Sequence, residues 1–257
     1  MKVVILCGGL GTRLREETEF RPKPLVIVGD RPIVWHIMKM YAHHGFKEFI
    51  LCLGYKGEMI KDYFLNYDLR NSSFTVKLGS KEVTLHNSNH EEADWQVTLV
   101  DTGRETMTGG RIARIEQYIS EDDFMATYGD GLADIDIPAL LAVHRRAGKI
   151  ATISAVSPVG RFGELSIRAN LVTIFQEKPE NDGTWINGGF FVFNRQIFSF
   201  LDGDDCVLER EPLQRLATEG QLAAYEHRGY WQCMDTQRDT EALNQVWDMG
   251  QAPWKVW

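Results

Sequence analysis

Apolar residues follow two periods that take turns along this chain. Runs of consecutive apolar positions at Val3, Val4 and Ile5, then at 49–53, 95–100, 124–128, 150–156 and 190–193, predict buried strands. Between them apolar positions recur at helical spacing: Ile33, Ile37, Met40 and Tyr41, stopped by Gly45; Met59, Ile60, Tyr63 and Phe64; Ile112, Ile115 and Ile119; Leu140, Leu141 and Val143. Strand and helix in turn at this spacing imply right-handed crossovers, a mostly parallel sheet and ligands held outside the carboxyl ends of its strands. The predicted fold class is α/β, a mostly parallel Rossmann-like sheet flanked by helices.

Two stretches break the alternation. Within 66–89, Phe74, Val76 and Leu78, then Val83 and Leu85, follow period two around Gly79-Ser80, which predicts a hairpin insertion. A second hairpin is expected where Leu165 and Ile167, then Leu171 and Ile174, flank Ala169-Asn170. Further helices are expected around 198–201, at 213–217 between Glu211-Pro212 and Gly220, and through Ala242, Leu243 and Val246. Trp247, Trp254 and Trp257 then form an aromatic stretch suited to packing on a subunit or a core.

Composition narrows the picture a little. A chain of 257 residues with 44% apolar content can bury a substantial core, and 1–257 reads as one domain. The formal charge of −8 argues against nonspecific nucleic-acid binding, so any field that holds phosphate must be built residue by residue. Cys7, Cys52, Cys206 and Cys233 show no CxxC spacing, and Cys7 and Cys52 fall in apolar strands, as buried thiols of a reducing compartment do. No apolar run reaches the length of a signal-peptide core or a membrane span, and a cytoplasmic location is expected. His86 and His90 sit among polar residues and His43 and His44 face opposite sides of a helix, so neither pair suggests a metal site.

Candidate chemistry starts where the first strand stops, at Gly8-Gly9-Leu10-Gly11-Thr12-Arg13, followed by Arg21-Pro22-Lys23-Pro24. Glycines let successive N–H groups face one concavity, and Thr12, Arg13 and Lys23 add a hydroxyl and two cations, which suits a polyphosphate. A bare strand-to-helix turn would explain the glycines alone, but not the Thr-Arg pair and the Pro-flanked lysine. A dinucleotide fingerprint fails because the sixth position from Gly9 is Leu14, and a Walker A loop fails because Gly11 is followed by Thr12-Arg13. Gly129-Asp130-Gly131 closes the 124–128 strand with a carboxylate placed as Mg²⁺ would want it, although such a tripeptide is often only a turn. Asp134 and Asp136 precede a helix, and capping suffices for them.

Gly-Gly-x-Gly-Thr-Arg-Leu followed about ten residues on by Pro-Lys-Pro resembles the signature of the sugar-1-phosphate nucleotidyltransferases, with every signature residue present and the likeness running along nearly the whole chain. Leu14-Arg15-Glu16-Glu17-Thr18, where many members carry Leu-x-Pro-Leu-Thr, is similar to the glucose-1-phosphate cytidylyltransferase branch. The resemblance implies that Leu6, Gly8, Gly9, Gly11 and Thr12 wrap the triphosphate of CTP, that Arg13 holds the leaving pyrophosphate and that Lys23 bridges the phosphates. Thr106, Gly110 and Arg111, within a polar loop at 101–111, would read cytosine and ribose; amides and a planar guanidinium suit the acceptors of cytosine. Gly129 and Asp130 would join the nucleotide, with Mg²⁺ on Asp130 and Asp235. Asp235 could instead be only an N-cap of the helix that follows. Glucose 1-phosphate would meet Gly163, Glu177, Lys178, Asn187 and Gly188 in a smaller β region, with Lys178 on its phosphate; Arg13, Lys23 and Lys178 would be catalytic. The hairpin insertion and the aromatic stretch suggest subunit contacts, and the family implies a homo-oligomer, a hexamer in this branch. A sister enzyme that uses UTP or dTTP, and a noncatalytic subunit that binds sugar nucleotides, stay open; a nicotinamide-dependent dehydrogenase is disfavoured by the failed fingerprint.

Overall fold

The structure is a computed structural model that describes residues 1–86, 90–157, 164–168, 171–176 and 185–257. Seven strands make the central sheet, in the order Leu222–His227, Ala151–Val156, Ile186–Asn194, Asp123–Tyr128, Val3–Cys7, Glu48–Leu53 and Gln96–Asp101. Every neighbouring pair is parallel except the two made by Ile186–Asn194. Among the described residues the connection into that strand holds the antiparallel hairpin Glu164–Arg168 and Leu171–Gln176 and no crossover helix, and the strand returns against its neighbours. The mostly parallel α/β sheet expected from the alternation is what forms.

Strand geometry sends successive side chains to opposite faces, and the first strand fills both layers. Val3, Ile5 and Cys7 join the helices Ile33–His43, Ile137–Ala147 and Gln237–Asp248 on one face. Val4 joins Ile50, Cys52, Phe124, Ile112 and Leu216 on the other. Each such side chain, once removed from water, contributes about 1.5–3 kcal/mol. The aromatic stretch packs on the chain's own core: Trp254 is fully buried, and Trp247 covers Gly29 in the turn between Ile27–Val28 and Arg31–Pro32.

Local differences from the expected elements have local causes. The 66–89 insertion begins with a short helix, Tyr67–Asn71, and only Ser73–Lys77 and Glu82–His86 form the hairpin. Phe74 pairs with Leu85 and Val76 with Val83, which puts the apolar set on one exposed face. The helix expected through Ile112, Ile115 and Ile119 ends at Ala113 and resumes as a 3-10 turn at Glu116–Tyr118, yet all three isoleucines stay buried. Around 198–201 the chain forms the 3-10 helix Arg195–Phe200, entered through Asn194, whose side chain accepts the Gln196 N–H. A ribbon the periodicity did not reveal pairs Gly131–Ala133 with Trp231–Cys233.

Candidate active site

The glycine loop leaves the sheet between Glu48–Leu53 and Asp123–Tyr128, the parallel neighbours of the first strand, at their carboxyl ends. Thr18 fixes its shape, the hydroxyl lying 3.0 Å from the Gly11 carbonyl and 2.9 Å from that of Leu14. Gly11 has φ of 63°, a left-handed conformation that favours glycine. Among the described residues no protein acceptor takes the N–H of Gly9, Leu10, Gly11, Thr12 or Arg13. A run of unpaired amides of this kind is an anion-binding concavity.

Gly8 has a different reason to be glycine. A Cβ there would come within 2.1 Å of the Arg111 guanidinium, which lies buried beneath the loop. Arg111 donates to the carbonyls of Leu53 (3.0 Å), Gly103 (2.7 Å) and Gly8 (3.0 Å) and to the Thr102 hydroxyl (2.8 Å). It ties the phosphate loop, the second strand and the 101–111 loop together. The amides of Gly109 and Gly110 both point at the Cys206 carbonyl. Of these donors, the Gly110 amide and the Arg111 Nη1 and Nη2 groups, which the resemblance implies would read cytosine and ribose, already donate to protein acceptors, so base contact through them requires an exchange of partners. Burial also pulls the Arg111 pKa down.

Asp130 and Asp235 come from distant parts of the chain and meet through the short ribbon. Cys233 pairs with Gly131, and the Met234 N–H donates to the Asp130 carbonyl at 2.8 Å, which sets the two carboxylates opposite each other. The Lys23 ammonium lies between them, 2.6 Å from Asp130 and 2.7 Å from Asp235, and Arg13 reaches the other Asp235 oxygen at 2.7 Å. Burial pulls the Lys23 pKa down, but the two carboxylates outweigh it and the net shift is upward. Burial pushes Asp235 up, and Lys23 and Arg13 outweigh it in turn, so its net shift is downward. The rival N-cap role for Asp235 falls to Thr236, which accepts the Asp239 N–H in a capping box with the Asp239 side chain. Asp136 is the N-cap of its helix, accepting the Ala139 N–H at 2.8 Å.

Leu6, Gly8, Gly9, Gly11, Thr12, Arg13, Lys23, Thr106, Arg111, Gly129, Asp130 and Asp235 line one cleft of 410 Å³. Gly110 packs behind it, where a Cβ would meet the Gly203 carbonyl. Asn187 and Gly188 open the strand Ile186–Asn194 and reach the cleft wall through Tyr128, to which the Asn187 amide donates at 3.2 Å. Gly163, Glu177 and Lys178 lie outside the described residues. Tyr128, Thr108 and Glu209 are joined by hydrogen bonds at this wall; Thr108 lies in the 101–111 loop and Tyr128 beside Gly129-Asp130, whereas Glu209 carries no motif.

Fold and cleft define an α/β class of protein whose free amides, cations and paired carboxylates suit a polyphosphate. Residues 2–248 match the model of the nucleotidyl transferase family. The chain is 53% identical over 100% of both lengths to a glucose-1-phosphate cytidylyltransferase of Salmonella typhimurium, and equally to that of Salmonella typhi. It also superimposes on the UDP-glucose pyrophosphorylase of Acinetobacter baumannii with a TM-score of 0.69 at 18% identity, covering 97% of this chain and 93% of that one, which shows a shared fold. The chain belongs to the nucleotidyl transferase family, and within it to the glucose-1-phosphate cytidylyltransferase branch.

Proposed function

We propose that this enzyme transfers a cytidylyl group from CTP to glucose 1-phosphate, forming CDP-glucose and pyrophosphate. A phosphate oxygen of the sugar phosphate attacks the α-phosphorus of CTP; the new P–O bond forms as the bond to the β-phosphate oxygen breaks. The nucleophile is already an anion, so the protein's task is to bring two anions together and to stabilise developing charge. The single observation that carries this reading is the meeting of Arg13, Lys23, Asp130 and Asp235 opposite the free amides of residues 9–13.

Among the described residues no cluster of three or more His, Cys, Asp or Glu side chains gathers, so a cation here would rest on two carboxylates and on ligand oxygens. That donor set fits Mg²⁺, and the convergence of both carboxylates on the Lys23 ammonium marks a place built for positive charge. Mg²⁺ held by Asp130 and Asp235 would neutralise phosphate oxygens and help to orient them. The amides of residues 9–13 wrap the triphosphate, Arg13 and Lys23 take the charge that develops on the leaving pyrophosphate, and Lys178 by family resemblance holds the sugar phosphate beside Glu177, Gly163, Asn187 and Gly188. Alignment of this kind can lower a barrier by up to about 7–11 kcal/mol.

We read 1–257 as one catalytic domain acting in the cytoplasm as a homo-oligomer, a hexamer by resemblance; among the described residues no helix is long and apolar enough to cross a membrane. Incubating the protein with Mg²⁺, glucose 1-phosphate and each of CTP, UTP and dTTP, and measuring pyrophosphate with the sugar nucleotide formed, tests the reading. CDP-glucose as the dominant product supports it. Preference for UTP or dTTP assigns a sister activity, and nucleotide binding without pyrophosphate release assigns a noncatalytic role.

A further inference from the structure

In the cleft wall, Tyr128 and Thr108, which neither the glycine loop nor the carboxylate pair uses, join Glu209 and Asn187 in one hydrogen-bonded chain. Tyr128 is the last residue of its strand, immediately before Gly129-Asp130. Its ring rests on the backbone of Gly189, where a Cβ would come within 2.5 Å of it, and meets Phe191 edge-on with centroids 5.7 Å apart. The ring is held on two sides, and its hydroxyl is correspondingly fixed. That hydroxyl donates to one oxygen of Glu209 at 2.5 Å and accepts from the Asn187 amide at 3.2 Å. The other Glu209 oxygen accepts from the Thr108 hydroxyl at 2.7 Å, and Thr108 accepts from the Leu208 N–H at 3.0 Å.

The direction of every bond in this chain is determined. An ionised carboxylate can only accept, so Tyr128 and Thr108 both give their single proton to Glu209. Tyr128 must then accept, and Asn187 must turn its NH₂ toward it, which agrees with the Asn187 carbonyl oxygen accepting the Gly189 N–H at 2.7 Å. Bonds to a charged acceptor are the stronger kind, and linked ones reinforce each other, here around a half-buried Glu209. Burial, with Glu209 beside it, pushes the Tyr128 phenol well up, so it remains a donor. Thr108 opens the helix that carries Gly110 and Arg111, and Asn187 opens the strand that carries the opposite wall.

We propose that Tyr128 and Glu209 are positioning residues that couple the nucleotide end of the cleft to its sugar-phosphate end, so that the setting of Thr108 on one side fixes the setting of Asn187 on the other. The assignment of the two ends rests on the function proposed above. Through this relay a loss at the nucleotide end is felt by the sugar phosphate.

Steady-state kinetics of the full chain with CTP and glucose 1-phosphate test it. Tyr128→Phe keeps the ring packing and removes only the hydroxyl; it raises the KM for both substrates by about tenfold, with kcat changed less than about threefold. Thr108→Val raises the KM for glucose 1-phosphate when Tyr128 is present and leaves it unchanged when added to Tyr128→Phe. A sugar-phosphate KM insensitive to Thr108→Val in the otherwise native chain overturns the relay. A parent enzyme that makes no sugar nucleotide from CTP and glucose 1-phosphate overturns the functional reading instead. In that event, urea unfolding of the ligand-free variants decides the relay: Thr108→Val and Asn187→Ala are non-additive with Tyr128 present and additive in Tyr128→Phe. Additivity in both backgrounds overturns it.

Discussion

The Lys23 ammonium stands 2.6 Å from the Asp130 carboxylate, a residue 107 positions away, and a further 2.7 Å contact joins it to Asp235. Side chains from three separate segments thus share one charge at the mouth of the phosphate loop. All three are mostly shielded from solvent, with Lys23 at 13%, Asp130 at 28% and Asp235 at 16% side-chain exposure, so the attraction is stronger than that of a surface pair.

Removing that ammonium leaves two carboxylates facing each other with, among the described residues, Arg13 paired to Asp235, and a divalent cation is the natural replacement. Lys23→Ala is expected to bind Mn²⁺, used as the probe, about tenfold more tightly than the parent in the absence of nucleotide. Turnover should fall by about 10²–10³, since a charge-stabilising donor is lost. Electron paramagnetic resonance of free Mn²⁺ measures the first effect. Weaker Mn²⁺ binding by the variant would show that Lys23 does not occupy the cation's place.

His36 sets an acid limit on stability. It is fully buried in the helix Ile33–His43, its Nε2 lies 2.8 Å from the Val28 carbonyl, and its Nδ1 accepts from the Trp254 indole N–H at 3.4 Å. Both ring nitrogens are satisfied in the neutral form, and burial lowers the pKa to about 4. Between the ordinary histidine value and about 4, the unfolded chain takes up a proton that the folded chain refuses, so stability falls as pH drops through that window. The loss for this one group amounts to about 2–3 kcal/mol. Urea unfolding from pH 7 to pH 4 should show it, and His36→Gln should flatten the profile; an unchanged slope in that variant would assign the acid sensitivity elsewhere.

Gly29→Ala should destabilise the protein by about 2–4 kcal/mol, because two costs coincide. Gly29 has φ of 64°, and a methyl group would come within 2.1 Å of the Trp247 indole. Thermal unfolding measures the loss. Combining the change with Trp247→Ala should recover the steric part and leave the strain.

Sequence patterns revealed what is local. The strand and helix alternation, Gly45 and Gly220 as stops, and the glycine loop with its cations are each written within a few neighbouring residues, and the sheet forms accordingly. Long-range pairing is less visible. The ribbon that sets Asp235 against Asp130 has strands of only three residues, Gly131–Ala133 and Trp231–Cys233, too short for a period to register. Glu209 has no motif because its role comes from Tyr128 and Thr108, 81 and 101 positions away. The sequence suggests ligand approach at the glycines; at Gly8 and Gly188 a Cβ would also meet Arg111 and Ser154, a reason the sequence does not display. Only the three-dimensional neighbours distinguish these reasons.

The hairpin Ser73–Lys77 and Glu82–His86 offers the last test. An isolated two-stranded ribbon is marginal in water, and this one keeps Phe74, Val76 and Val83 at 47%, 41% and 43% exposure on one face. Packing that face against another copy of the chain would remove apolar surface from water and steady the ribbon together. Replacing both members of the Val76 and Val83 pair with Glu puts like charges directly opposite each other on the same face, which opposes burial and weakens the pair itself. Because the hairpin lies outside the central sheet, the doubly substituted protein should keep its fold by circular dichroism. Sedimentation velocity at micromolar concentration should give an oligomer for the parent and a smaller species for the variant. A monomeric parent, or an unchanged sedimentation coefficient in the variant, would remove the hairpin from the assembly.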